Sequence, residues 1–211
     1  MARETVLRQQ VYEQIKHDII TCKLAPGEPL SENQFLDRFK VSKTPIREAL
    51  TSLVQDGLLE YTPNRGFMVT PISVADIQEI FEARIFFETE LFRLAVKNIS
   101  DEEIEELEKQ SQVDADTKSP DYAETFLESN RKFHMALAAA GGNNRLLWYY
   151  DTLMNEAQRL FYMDISHHHK DFRWGHGHEG ILKALKSRDE TAGVTMIRDT
   201  LENALKRVLG I

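Results

Sequence analysis

Only three residues, Lys40-Val41-Ser42, separate two amphipathic stretches, and this spacing constrains the fold more than any other feature of the chain. Ahead of it, Ser31 opens SENQFLDRF with Gln34 three residues on, a capping-box pattern, and Phe35, Leu36 and Phe39 supply an apolar face. Behind it, KTPIREALTSLVQ carries Ile46, Ala49, Leu50 and Leu53 at helical spacing. Ser42 or Thr44 can cap this second helix, and Pro45 falls in its first turn, where a missing N–H costs little. Gly57 ends it after Asp56. So short a linker makes the pair a helix-turn-helix.

The flanking segments complete a module. Val11, Ile15, Ile19 and Ile20 recur at helical spacing in LRQQVYEQIKHDIITCKL, and APGEP stops that helix with two prolines and a glycine. After Gly57, LLEYTPNRGFMVT reads as two strands around a turn at Thr62-Pro63-Asn64-Arg65-Gly66. Residues 1–72 are therefore predicted to be a winged helix-turn-helix. Residues 73–211 read as helix throughout: Ser73 caps one helix, Ser100-Asp101-Glu102-Glu103 is another capping box, and Gly141-Gly142 ends the helix that carries Tyr122, Phe126, Phe133 and Leu137. Asn143 or Asn144 opens the next, through Leu146, Leu147, Leu153 and Leu160. A further helix runs from about His178 to Lys186, and Asp189 caps the last, while DADTKSP, from Asp114 to Pro120, is the most loop-like stretch. The fold class is mainly α, a winged module followed by an all-α bundle.

Charge divides along the same line. The chain has a formal net charge of -8, yet residues 1–72 hold nine Lys/Arg and nine Asp/Glu, so all of the excess falls in the second module. The first module tolerates a polyanion and the second need not. An arginine near the start of a helix lodged in the major groove can place two donors on guanine O6 and N7, which gives Arg47 a role, with Lys43, the capping hydroxyls and Arg65 at the wing tip on phosphates. Two cations alone are as readily a solvated helix face; the turn spacing, the capped preceding helix and the Arg-Gly wing tip favour DNA.

Other classes are less well supplied. One cysteine, Cys22, permits no intrachain disulfide, and MARETVLRQQ lacks the apolar core of a secretory signal, so a reducing cytoplasm is the expected location. No apolar run approaches the roughly 18 residues of a membrane span. HEGIL begins like the HExxH zinc motif but its fifth position is Leu182, and no nucleophile with a spaced general base appears, so no enzyme is expected. Successive residues in His167-His168-His169 cannot all face one core, and His176 lies in a glycine-flanked lead-in.

PGEPLSE, VSKTPIREAL and DGLLEYTPNRGFMV, in that order and spacing, resemble the DNA-binding domain of the GntR family of bacterial transcription regulators. The resemblance implies DNA contacts from Lys43, Thr44 and Arg47 on the helix and from Arg65 and Gly66 on the wing. Lys43 departs from the family's usual arginine, and lysine lacks the bidentate fork. Asn33 stands where some relatives carry a basic residue.

EARIFFETELFRLA, ESNRKFHMALAAAGGNNRL and HEGILKALKSRDE are similar to the ligand-sensing FCD domain of the FadR subfamily. The resemblance implies a homodimer, an inverted-repeat operator and a repressor whose DNA affinity is altered by a small, carboxylate-bearing metabolite inside the bundle. It also implies effector contacts from Arg84, Asn130, His134, His178 and Thr200. Many such domains hold a divalent metal on an Asp or Asn, a His four residues on, and two later His. Here Asn130, His134 and His178 match, but Thr200 replaces the last His, so the set is incomplete and weak Zn or Ni binding is the most expected of it.

From the residues themselves, Asn130 and His134, four apart, face one way and can converge. A lone His134 is otherwise a core histidine bonded to a neighbour. Arg84 and Glu88 either line a pocket, where the guanidinium clamps a carboxylate, or form a surface ion pair worth about 0.3–0.5 kcal/mol. Arg159 is a weaker candidate of the same kind. Phe81, Phe87, Leu91 and Phe92 exceed what one bundle helix needs to bury, which points to a homodimer as their outlet.

Overall fold

α1 spans Ala2–Ile20 and turns Val11, Ile15 and Ile19 inward at i, i+4 and i+8, while Ile20 is only half-buried. The computed structural model describes residues 2–111, 122–167 and 177–211, which form two compact units, Met1–Ser73 and Val74–Ile211. The DADTKSP segment, read above as loop-like, and His168, His169 and His176 lie outside the described residues.

In the first unit α2 (Glu32–Phe39) begins with the expected capping box: the Gln34 N–H donates to Ser31 Oγ at 3.4 Å and the Ser31 N–H donates to Gln34 Oε1 at 3.1 Å. It ends at Lys40, whose left-handed backbone (φ 52°) turns the chain sharply into α3 (Lys43–Gln55). Ser42 occupies the cap position of α3 but its side chain makes no cap hydrogen bond, and Thr44 sits inside the first turn. Pro45, Ile46, Ala49, Leu50 and Leu53 are buried against α1 and the sheet.

The wing is a three-stranded antiparallel sheet of β1 (Pro29–Leu30), β2 (Leu59–Thr62) and β3 (Gly66–Val69), in the order β1-β3-β2. β1 corrects the reading of APGEP as a helix stop alone: its Pro29 and Leu30 pair with Met68 and Phe67 and tie the start of the helix-turn-helix to the wing. At the tip Asn64 (φ 67°) and Gly66 (φ 86°) both adopt positive φ, and the Arg65 N–H donates to the Thr62 carbonyl at 3.1 Å.

The second unit is helical among its described residues: α4 (Val74–Asn98), α5 (Asp101–Ser111), α6 (Tyr122–Ala140), α7 (Asn144–His167), α8 (Gly177–Lys186) and α9 (Glu190–Leu209). Ser100 and Glu103 form a reciprocal capping box, Asn143 Oδ1 accepts from the Leu146 N–H at 3.2 Å, and Asp189 caps α9. α4 is central and packs against α6, α7 and α9. This corrects the reading of its aromatics as surplus: Phe81, Leu91 and Phe92 are fully buried within the bundle because α4 has three neighbours, and Phe87 is half-buried. Among the described residues of this unit the exposed aromatics are instead Phe86, Trp148 and Tyr149. Gly193 lets α9 approach α4, since a Cβ there would lie 2.0 Å from Phe92 Cζ. Among the described residues no helix is long and apolar enough to cross a membrane.

Candidate DNA-reading face and effector pocket

The buried stripe of α3 fixes what its opposite face presents. With Ile46, Ala49 and Leu50 inside, Lys43, Thr44 and Arg47 stand exposed together, lining an open cleft of about 590 Å³ with Arg8 of α1 and Glu32 of α2. The Arg47 side chain is 68% exposed, and its Nε lies 3.4 Å from Glu32 Oε1. Arg65 is exposed at the wing tip beside Gly66, and neither lines that cleft. Sequence reasoning missed Arg8 and Glu32, because their place on this face depends on how α1 and α2 pack against α3 rather than on any local pattern.

The second unit gathers a different set of side chains. Arg84 and Glu88 on α4, Asn130 and His134 on α6, His178 on α8 and Thr200 on α9 all line one cavity of about 60 Å³, walled by Phe161, Ile181, Ile197, Leu201 and Ala204. The side chains of Arg84 and Glu88 are 2% and 5% exposed, so their ion pair is not a surface one, and both line the cavity. Arg84 Nε and Nη2 both reach Glu88 Oε1, at 2.9 and 2.8 Å, with the guanidinium packed on the rings of Phe81 and Phe161. Its third nitrogen, Nη1, is buried without a protein partner. Arg159 is also buried but does not line this cavity.

Further polar groups crowd round the ion pair. His134 Nδ1 lies 3.4 Å from Glu88 Oε2, and the buried Tyr150 hydroxyl is held in its neutral form by burial and the nearby Glu88 charge, which raise its pKa. His178 Nε2 lies 3.0 Å from Asn130 Oδ1; an amide oxygen only accepts, so the ring donates from Nε2. The same ring stacks on Phe133 with centroids 3.8 Å apart. Burial, with Arg84 nearby, lowers the His134 pKa to about 3; burial, with His134 nearby and Glu88 opposing, lowers His178 to about 3. Both rings are neutral at pH 7. Asn130 and His134 thus line one cavity, as their spacing implies, yet turn to different partners.

A divalent metal fits this arrangement poorly. No trio of His, Cys, Asp or Glu gathers among the described residues. Two of the groups the family pattern would use, Asn130 Oδ1 and His178 Nε2, already pair with each other, and the Thr200 hydroxyl in the remaining place is a weak ligand for zinc or nickel.

Comparison with known proteins accounts for both units. The profile described as "Bacterial regulatory proteins, gntR family" matches residues 7–69, and that of the FCD domain matches residues 79–203. The chain is 32% identical to the HTH-type transcriptional repressor RspR of Escherichia coli (strain K12), over 88% of this chain and 82% of that protein. Its fold is similar to E. coli McbR/YncC, with a TM-score of 0.79 at 22% identity over 97% of each chain. It is likewise similar to a putative GntR transcriptional regulator from Rhodococcus sp. RHA1, with a TM-score of 0.76 at 24% identity over 100% of this chain and 99% of that one. The chain therefore belongs to the GntR family of bacterial transcription regulators, with the FadR-type architecture of a winged helix-turn-helix followed by an FCD ligand-binding domain, and is not an enzyme.

Proposed function

We propose that this regulator is a cytoplasmic homodimeric repressor in which residues 1–72 bind an inverted-repeat operator and residues 73–211 dimerise and bind a small carboxylate-bearing effector that alters operator affinity. Lys43, Thr44, Arg47, Arg65 and Gly66 contact DNA, with Arg47 reading a base edge. Arg84, Asn130, His134, His178 and Thr200 contact the effector. The repressor role is supported by the printed name of the similar E. coli protein. Self-association is supported by the exposure of Phe86, Trp148 and Tyr149, large apolar rings that a monomer leaves in water.

The observation that carries the effector reading is the buried, unpartnered Nη1 of Arg84 beside a cavity. A buried donor without a partner costs about 1–3 kcal/mol, and an acceptor oxygen on a ligand recovers it. A carboxylate does this best, because a charge-assisted hydrogen bond is roughly twice as strong as a neutral one. Thr200, Asn130 and the neutral imidazoles then pair with the ligand's remaining oxygens. With a cavity of about 60 Å³, a small acid fits more readily than a large one.

Titration calorimetry with acetate, lactate and pyruvate tests this. Binding by the natural protein and its loss in Arg84→Met is the expected result; equal binding by both removes Arg84 from the site. The metal reading is tested in the same instrument with zinc and nickel: the natural chain binds weakly or not at all, and Thr200→His strengthens binding by adding a third imidazole. Tight stoichiometric binding by the natural chain that vanishes in His134→Ala would overturn it.

A further inference from the structure

We propose that Glu32 is a specificity-determining residue of the DNA-reading face, which acts by positioning the guanidinium of Arg47 rather than by touching DNA. The proposal rests on the reading of Arg47 as a base-contacting residue. Glu32 occupies the first turn of α2, and its Oε1 lies 3.4 Å from Arg47 Nε. The two side chains are unequally exposed, 26% for Glu32 and 68% for Arg47, so the carboxylate sits behind the guanidinium while the guanidinium projects into the open cleft.

The geometry divides the donors of Arg47 by direction. A carboxylate on Nε engages the inner edge of the planar group and leaves the Nη1/Nη2 end free, and that end is the one that can span guanine O6 and N7. Unsupported, an exposed arginine samples many rotamers, and a phosphate offers as good a bidentate partner as a guanine. Glu32 narrows that choice in two ways. It holds the side chain in one family of rotamers before DNA arrives, and it places a negative charge where a phosphate would otherwise come to the inner edge.

A bland alternative is that Glu32 only complements the dipole at the start of α2, as acidic residues in a first helical turn do. The two roles respond differently to conservative changes. Glutamine keeps an acceptor oxygen at the same reach from Nε but loses the charge. Aspartate keeps the charge at the helix start but falls one methylene short of Nε.

The test is selection from a randomised duplex library of about 30 base pairs by the full-length protein, by its Glu32→Ala, Glu32→Gln, Glu32→Asp and Arg47→Ala variants and by the Glu32→Ala, Arg47→Ala double variant, with thermal unfolding measured for each. The natural protein is expected to enrich a motif with a guanine in each half-site, and Arg47→Ala is expected to lose that preference. In Glu32→Ala the preference at the same guanine falls about tenfold, while retention of scrambled duplex stays level or rises because a negative charge has been removed. Glu32→Gln recovers most of the preference, Glu32→Asp does not, and Glu32→Ala has no further effect when Arg47→Ala is already present. Equal sharpness of the motif in Glu32→Ala and the natural protein overturns the proposal. So does recovery by aspartate but not glutamine, which assigns Glu32 to the helix dipole. An Arg47→Ala variant that keeps the guanine preference, or a natural protein that enriches no motif, removes the underlying reading of Arg47 together with the proposal.

Discussion

Arg47 and Arg84 are both paired to a glutamate, yet the two units use them in opposite ways. Arg47 is 68% exposed and its carboxylate partner comes from another helix; Arg84 is 2% exposed and its partner is one turn along the same helix. On the DNA face water screens the pair, so the interaction adds little to stability and the guanidinium remains free to meet a polyanion. In the bundle neither charge can return to water, so the pair is a fixed part of the core and only the unpartnered Nη1 is left for a ligand. On the function proposed above, the same chemical pair is a recognition device in one unit and a structural element with one open valence in the other.

Truncation separates the two most strongly. Arg84→Ala leaves the Glu88 carboxylate buried without its guanidinium partner, beside a neutral His134 and Tyr150, and a loss of about 3–5 kcal/mol in unfolding free energy is expected from urea denaturation. Replacing both partners, Arg84→Met with Glu88→Leu, recovers most of that loss because volume is kept and no charge is stranded, although the acid-binding donor is gone. If Arg84→Ala unfolds at the same urea concentration as the natural protein, the pair is not the buried core element described above.

Arg47→Ala tests the other half of the comparison. Its stability is expected to stay within about 0.5 kcal/mol, as for an exposed substitution, while about 1–3 kcal/mol of discrimination between a selected duplex and its scrambled counterpart is lost. Lys43→Ala weakens both duplexes alike and lowers the dependence of log affinity on log salt by about one, the mark of one lost phosphate contact. Electrophoretic shifts over a series of salt concentrations distinguish the two; unchanged discrimination in Arg47→Ala would show that the exposed arginine reads no base.

How much of this was legible in the sequence follows from how local each signal is. The capping boxes at Ser31 and Ser100, the stop at Gly57 and the inward stripe of α3 are set by residues within one or two turns, and all appear as read. β1 was not legible, since two residues cannot show an alternation, and its strand character comes from pairing with β3. The aromatics of α4 were misread because periodicity says which residues share a face but not how many neighbours cover it; three helices pack on α4 and absorb Phe81, Leu91 and Phe92. In the pocket, the i,i+4 pairs Arg84/Glu88 and Asn130/His134 were visible, but their meeting with His178 and Thr200 came from family resemblance. The cross-helix contacts of His134 with Glu88 and of His178 with Asn130 join residues 46 and 48 apart in sequence, by subtraction of their numbers, and no local pattern encodes them.

The smallest expected effect concerns two serines that the sequence treats alike. Ser31 and Ser42 each precede a helix and are each able to cap, but only Ser31 accepts a hydrogen bond from its helix. Ser31→Ala is therefore expected to cost about 1 kcal/mol of stability, and Ser42→Ala less than about 0.5 kcal/mol. The difference has a reason on the DNA face. Ser42 is exposed beside Lys43 and Thr44, and a hydroxyl not engaged by its own helix is free to donate to a phosphate, so Ser42→Ala is expected to weaken selected and scrambled duplexes by the same small factor with the fold intact. Thermal unfolding of both variants, with electrophoretic shifts of Ser42→Ala on the two duplexes, makes the measurement. Equal destabilisation by the two substitutions would mean that Ser42 caps α3 in solution, and the hydroxyl would then have to be struck from the DNA-facing set.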